Sequence, residues 1–519
     1  MKRRSFLLST VASTLARGLA CGAGAGNAAA GKRPNIVLVM ADDMGFSDLG
    51  CYGSEIPTPN VDRLARGGVR FAQFYNAARC CPTRSSLLTG LYPHQAGIGH
   101  MGRNLGVPAY QGHLNDRCAT VAEVLRDAGY TTLMSGKWHV GAERPQWPCD
   151  RGFDESYVLL GGGANYFRPK LLVRNEKQVQ PGADGYYLTD DFTAQAIAML
   201  ERHGRGPRPF FLYLAYTAPH FPIQAPQEDI ARHRGRYGIG WDELRRRRHR
   251  RMIELGIVER DWPLSRRPPE APAWESVENK ESWDLRMAVY AAMVERMDHG
   301  IGRVLRTLRD IGAESNTLFL FLSDNGACAE SKERGKPGSP IGSADSNTTY
   351  ELPWANASNT PFRYYKHWTY EGGIATPLIV SWPAVIRGGI ITKDVGHIID
   401  IMPTLLEAAG ALYPKDRIPL EGRSLMPLLR RRQPGPDRTL FWEHEGNRAV
   451  RRGQWKLVAG FGLDWELYDL VRDRTETVDL AARHPDRVRK LSAQYERWAL
   501  RCGVLAWRAD WERDFGIPW

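Results

Sequence analysis

From residue 33 to residue 429 the chain repeats one arrangement, a short uninterrupted apolar run that stops at a polar cluster. Asn35-Ile36-Val37-Leu38-Val39-Met40 leads to Asp42-Asp43, and Thr131-Thr132-Leu133-Met134 leads to Gly136-Lys137-Trp138-His139. Residues 210–215 lead to Thr217-Ala218-Pro219-His220, and residues 317–322 to Asp324-Asn325-Gly326. Apolar runs with no alternating polar face suit strands covered on both sides, as in a parallel sheet. Segments 60–66, 120–128, 192–203, 283–311 and 397–409 carry apolar residues at helical spacing, and 69–71 and 377–382 read as further strands. The alternation predicts an α/β domain, a large mostly parallel sheet flanked by helices. At 519 residues the chain exceeds the size at which a single core stops growing. A Pro/Gly/Arg-rich linker at 430–438 sets off a smaller unit, in which 440–442, 449–450, 455–458 and 465–468 read as a small antiparallel sheet and 486–500 as a closing helix. The expected division is an N-terminal segment at 1–30, a large domain at 31–434 and a small α+β subdomain at 435–519.

Open α/β sheets bind ligands beyond the carboxyl ends of their strands. Taken singly, Asp-Asp or Asp-Asn-Gly after a strand is ordinary turn or cap chemistry. Four such clusters at corresponding strand ends point instead to a shared site. Asp42, Asp43, Asp324 and Asn325 offer oxygen ligands, which suit a hard divalent cation such as Ca²⁺ or Mg²⁺ rather than zinc. Lys137, His139, His220 and Arg84 add donors that could clamp a tetrahedral oxyanion.

The segment Cys80-Cys81-Pro82-Thr83-Arg84 continues into Ser85-Ser86-Leu87-Leu88-Thr89-Gly90. Pro82 suits the first turn of a helix and Gly90 its end. A nucleophile just ahead of that helix would feel its positive dipole, and Arg84, one turn in, could aim its fork back at it. Two buried cysteines at a helix start are the plain alternative. A cysteine with Pro two residues on and Arg four residues on resembles a sulfatase maturation site. Cys80 has both spacings and Cys81 has neither. With Gly136-Lys137-Trp138-His139-Val140-Gly141, and with Asn359-Thr360-Pro361-Phe362-Arg363 running through Lys366 to Glu371-Gly372-Gly373, nearly the whole mature chain resembles a type I sulfatase. That is the arylsulfatase branch of the alkaline phosphatase superfamily. The resemblance implies that a sulfatase-maturing enzyme oxidises Cys80 to formylglycine, whose hydrate attacks a sulfate ester, and that Arg84 steadies it. It implies one divalent cation, Ca²⁺ ahead of Mg²⁺, on Asp42, Asp43, Asp324, Asn325 and the modified Cys80. Lys137 and Lys366 would hold sulfate oxygens, His139 would contact the hydrate, and His220 would protonate the departing alcohol. Thr83 stands where the motif often has Ser, a hydroxyl-for-hydroxyl exchange. A phosphonate or phosphodiester hydrolase on the same fold and a non-catalytic binder of sulfated glycans are the rival readings.

Lys and Arg outnumber Asp and Glu by 70 to 58, for a net charge of +12. That balance suits an anionic substrate, but much of the excess lies in Arg245-Arg246-Arg247-Arg248-His249-Arg250-Arg251, read as a solvated helix face. No nucleic-acid reader motif accompanies it, so no nucleic-acid partner is expected. The sixteen Trp are assigned chiefly to the core. Lys2-Arg3-Arg4-Ser5-Phe6-Leu7-Leu8 resembles a twin-arginine export signal, with Ala28-Ala29-Ala30 as a small-residue cleavage site, so a periplasmic location is expected. Cys21 offers a lipid-attachment alternative, the one route by which a membrane would be a partner. Cys51, Cys118, Cys149, Cys328 and Cys502 could pair or stay reduced.

Overall fold

The computed structural model describes residues 33–508 apart from 183, 184, 432 and 434. The twin-arginine-like segment and Cys21 lie outside the described residues. Among the described residues, fourteen strands form two sheets. The strands of the first are β1 (Asn35–Ala41), β2 (Val69–Tyr75), β3 (Thr131–Lys137), β4 (Glu155–Leu159), β5 (Leu172–Arg174), β6 (Lys177–Val179), β7 (Phe210–Ala215), β8 (Thr317–Ser323), β9 (Ala375–Ser381) and β10 (Ile390–His397). Their order across the sheet is β10-β2-β9-β8-β1-β7-β3-β4-β5-β6. The middle, β8-β1-β7-β3-β4, is parallel throughout, with Ile36 opposite both Phe211 and Leu318. β9 runs antiparallel between β8 and β2, and β4, β5 and β6 alternate in direction at the far edge. Every residue of β3, β7, β8 and β9 is buried, as their unbroken apolar runs require.

Four strands of this sheet (β4, β5, β6 and β10) have no counterpart in the sequence reading, being short or broken by polar residues. The helix expected at 397–409 begins only at Ile401; before it, β10 ends at His397 and a short turn follows. Within the polar stretch 326–360, Glu351–Ser358 is helical and buries Trp354. Trp354 meets Trp241 edge-on at 5.3 Å, and Trp241 meets Trp274 and Trp283 likewise at 4.8 and 5.3 Å. This tryptophan cluster is packing, not a stacking platform.

The arginine run lies on the helix Gly240–Glu254, but it is not one solvated face. Arg246, Arg247 and Arg251 are exposed, whereas Arg245 and Arg248 are buried. Arg248 binds Asp48 Oδ1 at 2.6 Å and both carboxylate oxygens of Glu55 at 2.9 Å. Arg245 donates to Ser265 Oγ and to the Ser265 carbonyl at 2.8 Å. No apolar periodicity marks these two, because an ion pair takes Arg248 inside and hydrogen bonds to Ser265 hold Arg245.

The second sheet is the antiparallel meander β11 (Thr439–His444), β12 (Asn447–Arg452), β13 (Trp455–Ala459) and β14 (Glu466–Asp469). The helix Pro485–Cys502 covers it, with Trp498 stacked on Phe441 at 5.2 Å. Buried charges join the two sheets. Glu371, just before β9, accepts from Lys456 Nζ at 3.0 Å, Arg474 Nε at 2.7 Å and Tyr75 Oη at 2.9 Å. The described residues from Arg33 onward thus form one compact unit. No disulfide occurs among the described residues, and no described helix is long and apolar enough to cross a membrane.

Candidate active site

The strand ends converge as the sequence pattern requires. β1 delivers Asp42 and Asp43, β3 delivers Lys137 and His139, the turn after β7 delivers His220, and β8 delivers Asp324 and Asn325. All are nine-tenths or more buried except His139, which is partly exposed. The helix Cys80–Thr89 starts at residue 80 and ends at Gly90, whose φ of 68° only a glycine adopts without strain. Thr83 Oγ1 accepts from the Ala77 N–H at 2.9 Å, so its hydroxyl fixes the approach to the nucleophile position.

The carboxylates are held from several sides. Lys137 Nζ lies 2.6 Å from Asp42 Oδ2, and Lys366 Nζ 2.8 Å from Asp43 Oδ2. Asn325 Nδ2 donates to Asp43 Oδ1 at 2.7 Å, and the Asp43 N–H donates to Asp324 Oδ1 at 3.1 Å. Arg84 places Nη2 at 2.7 Å and Nε at 3.2 Å from Asp324 Oδ2, and Nη1 at 3.1 Å from the Lys137 carbonyl. Its fork therefore faces Asp324 rather than residue 80 alone. Asp43 (φ 63°) and His139 (φ 57°) sit in the left-handed region, strained geometry typical of functional positions.

Two buried oxygens, Asp42 Oδ1 and Asn325 Oδ1, have no hydrogen-bond partner, although their residues are otherwise fully engaged. Burial pushes Asp324 up to about 8, with the neighbouring Asp42 charge adding to it, although Arg84 and Lys137 oppose. Burial likewise raises Asp42. Lys137, Lys366 and Arg84 match the three carboxylates in charge yet leave Asp42 Oδ1 and Asn325 Oδ1 unpartnered, and these orphaned oxygens are hard donors. Asp42, Asp43, Asp324 and Asn325 therefore fit a divalent oxygen-seeking cation.

Cys80 lies with Cys81 and His139 within a common donor cluster. A hydrogen bond from Cys81, helped by Lys137 and His139, outweighs burial and holds the Cys80 thiol well below its usual range. His139 is lowered to about 4 by burial, with the charge at Cys80 opposing. His220 Nδ1 lies 2.5 Å from the Phe221 carbonyl, which fixes Nδ1 as the protonated nitrogen and turns Nε2 toward Asp43 Oδ2 at 3.5 Å. Burial lowers His220 to about 4 as well, while Asp43 opposes. Both rings are packed against the Gly161-Gly162-Gly163 turn. A Cβ at Gly162 would lie 2.6 Å from the His139 ring, and one at Gly163 3.1 Å from His220.

The sequence reading missed Glu330 and Arg79. Arg79 Nη2 binds Glu330 Oε1 at 3.1 Å, and Lys366 Nζ stands 3.8 Å from the same oxygen. Glu330 thus gives Lys366 a second carboxylate besides Asp43. It lies in an aperiodic loop, where no pattern singles it out.

The Sulfatase family model matches residues 34–411, and that for the C-terminal region of N-sulphoglucosamine sulphohydrolase matches 362–497. An uncharacterized sulfatase of Schizosaccharomyces pombe is 37% identical, covering 91% of this chain and 95% of its own. The arylsulfatase of Klebsiella aerogenes is 36% identical, covering 78% of this chain and 93% of its own. Among solved structures, Ps i-CgsB in complex with k-i-k-neocarrahexaose superposes with a TM-score of 0.69 at 26% identity, over 94% of this chain and 98% of that one. The chain belongs to the sulfatase family. It is a type I sulfatase of alkaline phosphatase-like fold, an enzyme that hydrolyses sulfate esters.

Proposed function

We propose that the protein cleaves sulfate monoesters, aryl or carbohydrate, through a formylglycine made from Cys80, with Ca²⁺ ahead of Mg²⁺ as the cation. The observation that carries this reading is the convergence of Cys80, four oxygen-ligand residues, two lysines and two histidines at one buried edge of the parallel sheet. Carried on Asp42, Asp43, Asp324 and Asn325, a divalent cation would supply Lewis-acid charge against a sulfate oxygen. Formylglycine at residue 80 would supply a hydroxyl that attacks sulfur and a second hydroxyl whose collapse to the aldehyde releases sulfate.

The chain's own side chains do the rest. Lys137 and Lys366, now on Asp42 and Asp43, stand where their ammonium groups can transfer to oxygens of an entering sulfate. Arg84, anchored on Asp324, places a fixed positive charge beneath the nucleophile. His139 faces residue 80 and can take a proton from its hydroxyl. His220 holds Nδ1–H on the Phe221 carbonyl, leaving Nε2 to carry a second proton to the departing alcohol. The charge of the bound ester favours that protonated form.

The arylsulfatase relative and the saccharide in the Ps i-CgsB complex support these substrate classes. The proposal includes a sulfatase-maturing enzyme as partner and export through the twin-arginine-like residues 1–30, with lipid attachment at Cys21 as the variant form. The test is release of sulfate from 4-nitrophenyl sulfate and from sulfated saccharides by protein made in a sulfatase-maturing host. Wild type is expected to turn over at least one of them, and a folded Cys80→Ala variant to lose on the order of 10³-fold or more. Equal turnover by the variant, or activity confined to bis(4-nitrophenyl) phosphate, would overturn the reading.

A further inference from the structure

A second cluster of metal-ligating side chains lies apart from the Asp42–Asp43 group. His100 comes from the loop after the helix Cys80–Thr89, His444 from the end of β11 and Glu445 from the turn that follows, with His367, from the loop before β9, alongside them. His100 is 1% exposed, His444 0% and Glu445 6%. The backbone is bent to deliver them, with Glu445 at φ 50° and His367 at φ 88°.

The spacings are wrong for hydrogen bonds. His100 Nδ1 and His444 Nε2 each stand 3.4 Å from Glu445 Oε1, and both nitrogens of both rings are without a hydrogen-bond partner. A tetrahedral zinc ion with N and O ligands at 2.0–2.1 Å sets neighbouring donors roughly 3.3–3.4 Å apart. The two edges thus match a coordination polyhedron. The donor atoms of all three residues lie within 4.8 Å of one another.

The surroundings complete the pattern. His367 Nδ1 is 2.7 Å from Glu445 Oε2, and Asn447 Nδ2 is 2.9 Å from His367 Nε2. A histidine holding the distal oxygen of a ligating carboxylate, itself fixed by an amide, is the outer-shell support that metal sites use. Trp507 closes over His100 edge-on at 5.0 Å. A carboxylate at the centre argues against an anion as ligand, and two imidazoles argue against calcium.

We propose that His100, His444 and Glu445 form a second metal site, for a divalent transition metal of the zinc type. The site ties the β11–β12 turn of the C-terminal sheet to the catalytic core. Through His367 it also braces the loop that carries Lys366.

The test uses the full mature protein, stripped with chelator and reloaded with excess Ca²⁺ plus Co²⁺ or Zn²⁺. One equivalent of Zn²⁺ is expected to remain after gel filtration, and Co²⁺ is expected to give visible d–d bands without a thiolate charge-transfer band in the near ultraviolet. The latter would mark binding at Cys80 and Cys81 instead. The His100→Gln/His444→Gln variant, checked for fold by circular dichroism, should lose that equivalent and the bands. Absence of the bands in wild type, or equal metal retention in wild type and variant, would overturn the proposal.

Discussion

Asp42 and Asp43 are buried and each meets a buried lysine, so their pairing bears on stability as well as turnover. Removing one partner of a buried ion pair costs about 3–5 kcal/mol, because the other charge is stranded. Lys137→Ala is expected to lower the urea-derived unfolding free energy by about that amount in chelator, and by less in Ca²⁺ if a cation takes over the Asp42 charge. His220 allows a sharper test of roles. If Nε2 protonates the leaving alcohol, His220→Asn should slow poorly leaving alkyl sulfates by about 10²–10⁴-fold. Its effect on 4-nitrophenyl sulfate, whose phenolate leaves unaided, should be much smaller. Equal losses on both substrates would remove the general-acid assignment. Most of these residues were legible in sequence because strands end where their apolar runs end, which makes Asp42, Asp43, Lys137, His139, Asp324 and Asn325 stand out. Lys366 became visible only through the resemblance, and Glu330 not at all, because each sits in a loop with no period.

The helix Gly240–Glu254 shows how a charge run can divide into two kinds of residue. Arg248 fills a buried site between Asp48 and Glu55, and Asp48 also accepts from Tyr290 Oη at 2.7 Å. Arg246 and Arg247 reach only the neighbouring Glu243 at 2.9 Å and are each 56% exposed. Arg248→Ala is expected to destabilise by about 3–5 kcal/mol, and Arg246→Ala by less than about 0.5 kcal/mol, in denaturant titrations. Similar costs for the two would mean that the Asp48 network is not rigid. From the sequence, helix and run were readable, but the inward face was not. Its partners Asp48 and Glu55 lie some two hundred residues earlier, and no local pattern encodes such a pairing. The short edge strands β5 and β6 were missed for a related reason, since three residues each are too few to show a period.

For the molecule as a whole, the joint between the two sheets sets the response to acid. His397, at the end of β10, is buried against Trp442 and Tyr92, and its Nδ1 accepts from the Ile399 N–H at 3.3 Å. Burial, reinforced by Arg438, holds its pKa well below the ordinary value. Below about pH 6.5 the unfolded chain takes up a proton that the folded ring refuses, so stability present at pH 7 is lost as pH falls, by at most about 1.4 kcal/mol per pH unit for this group. His397→Asn keeps a capping acceptor and should decline less steeply than wild type between pH 7 and 5. Parallel declines would exclude His397 as a source. The central claim, that Cys80 becomes the nucleophile, is tested most directly by peptide mass spectrometry across residue 80 on protein from a maturing host. The account predicts a peptide lighter than the cysteine form by about 18 Da, or its hydrate, the change expected for thiol-to-aldehyde oxidation. An unmodified Cys80 in protein whose host demonstrably matures another sulfatase would contradict it.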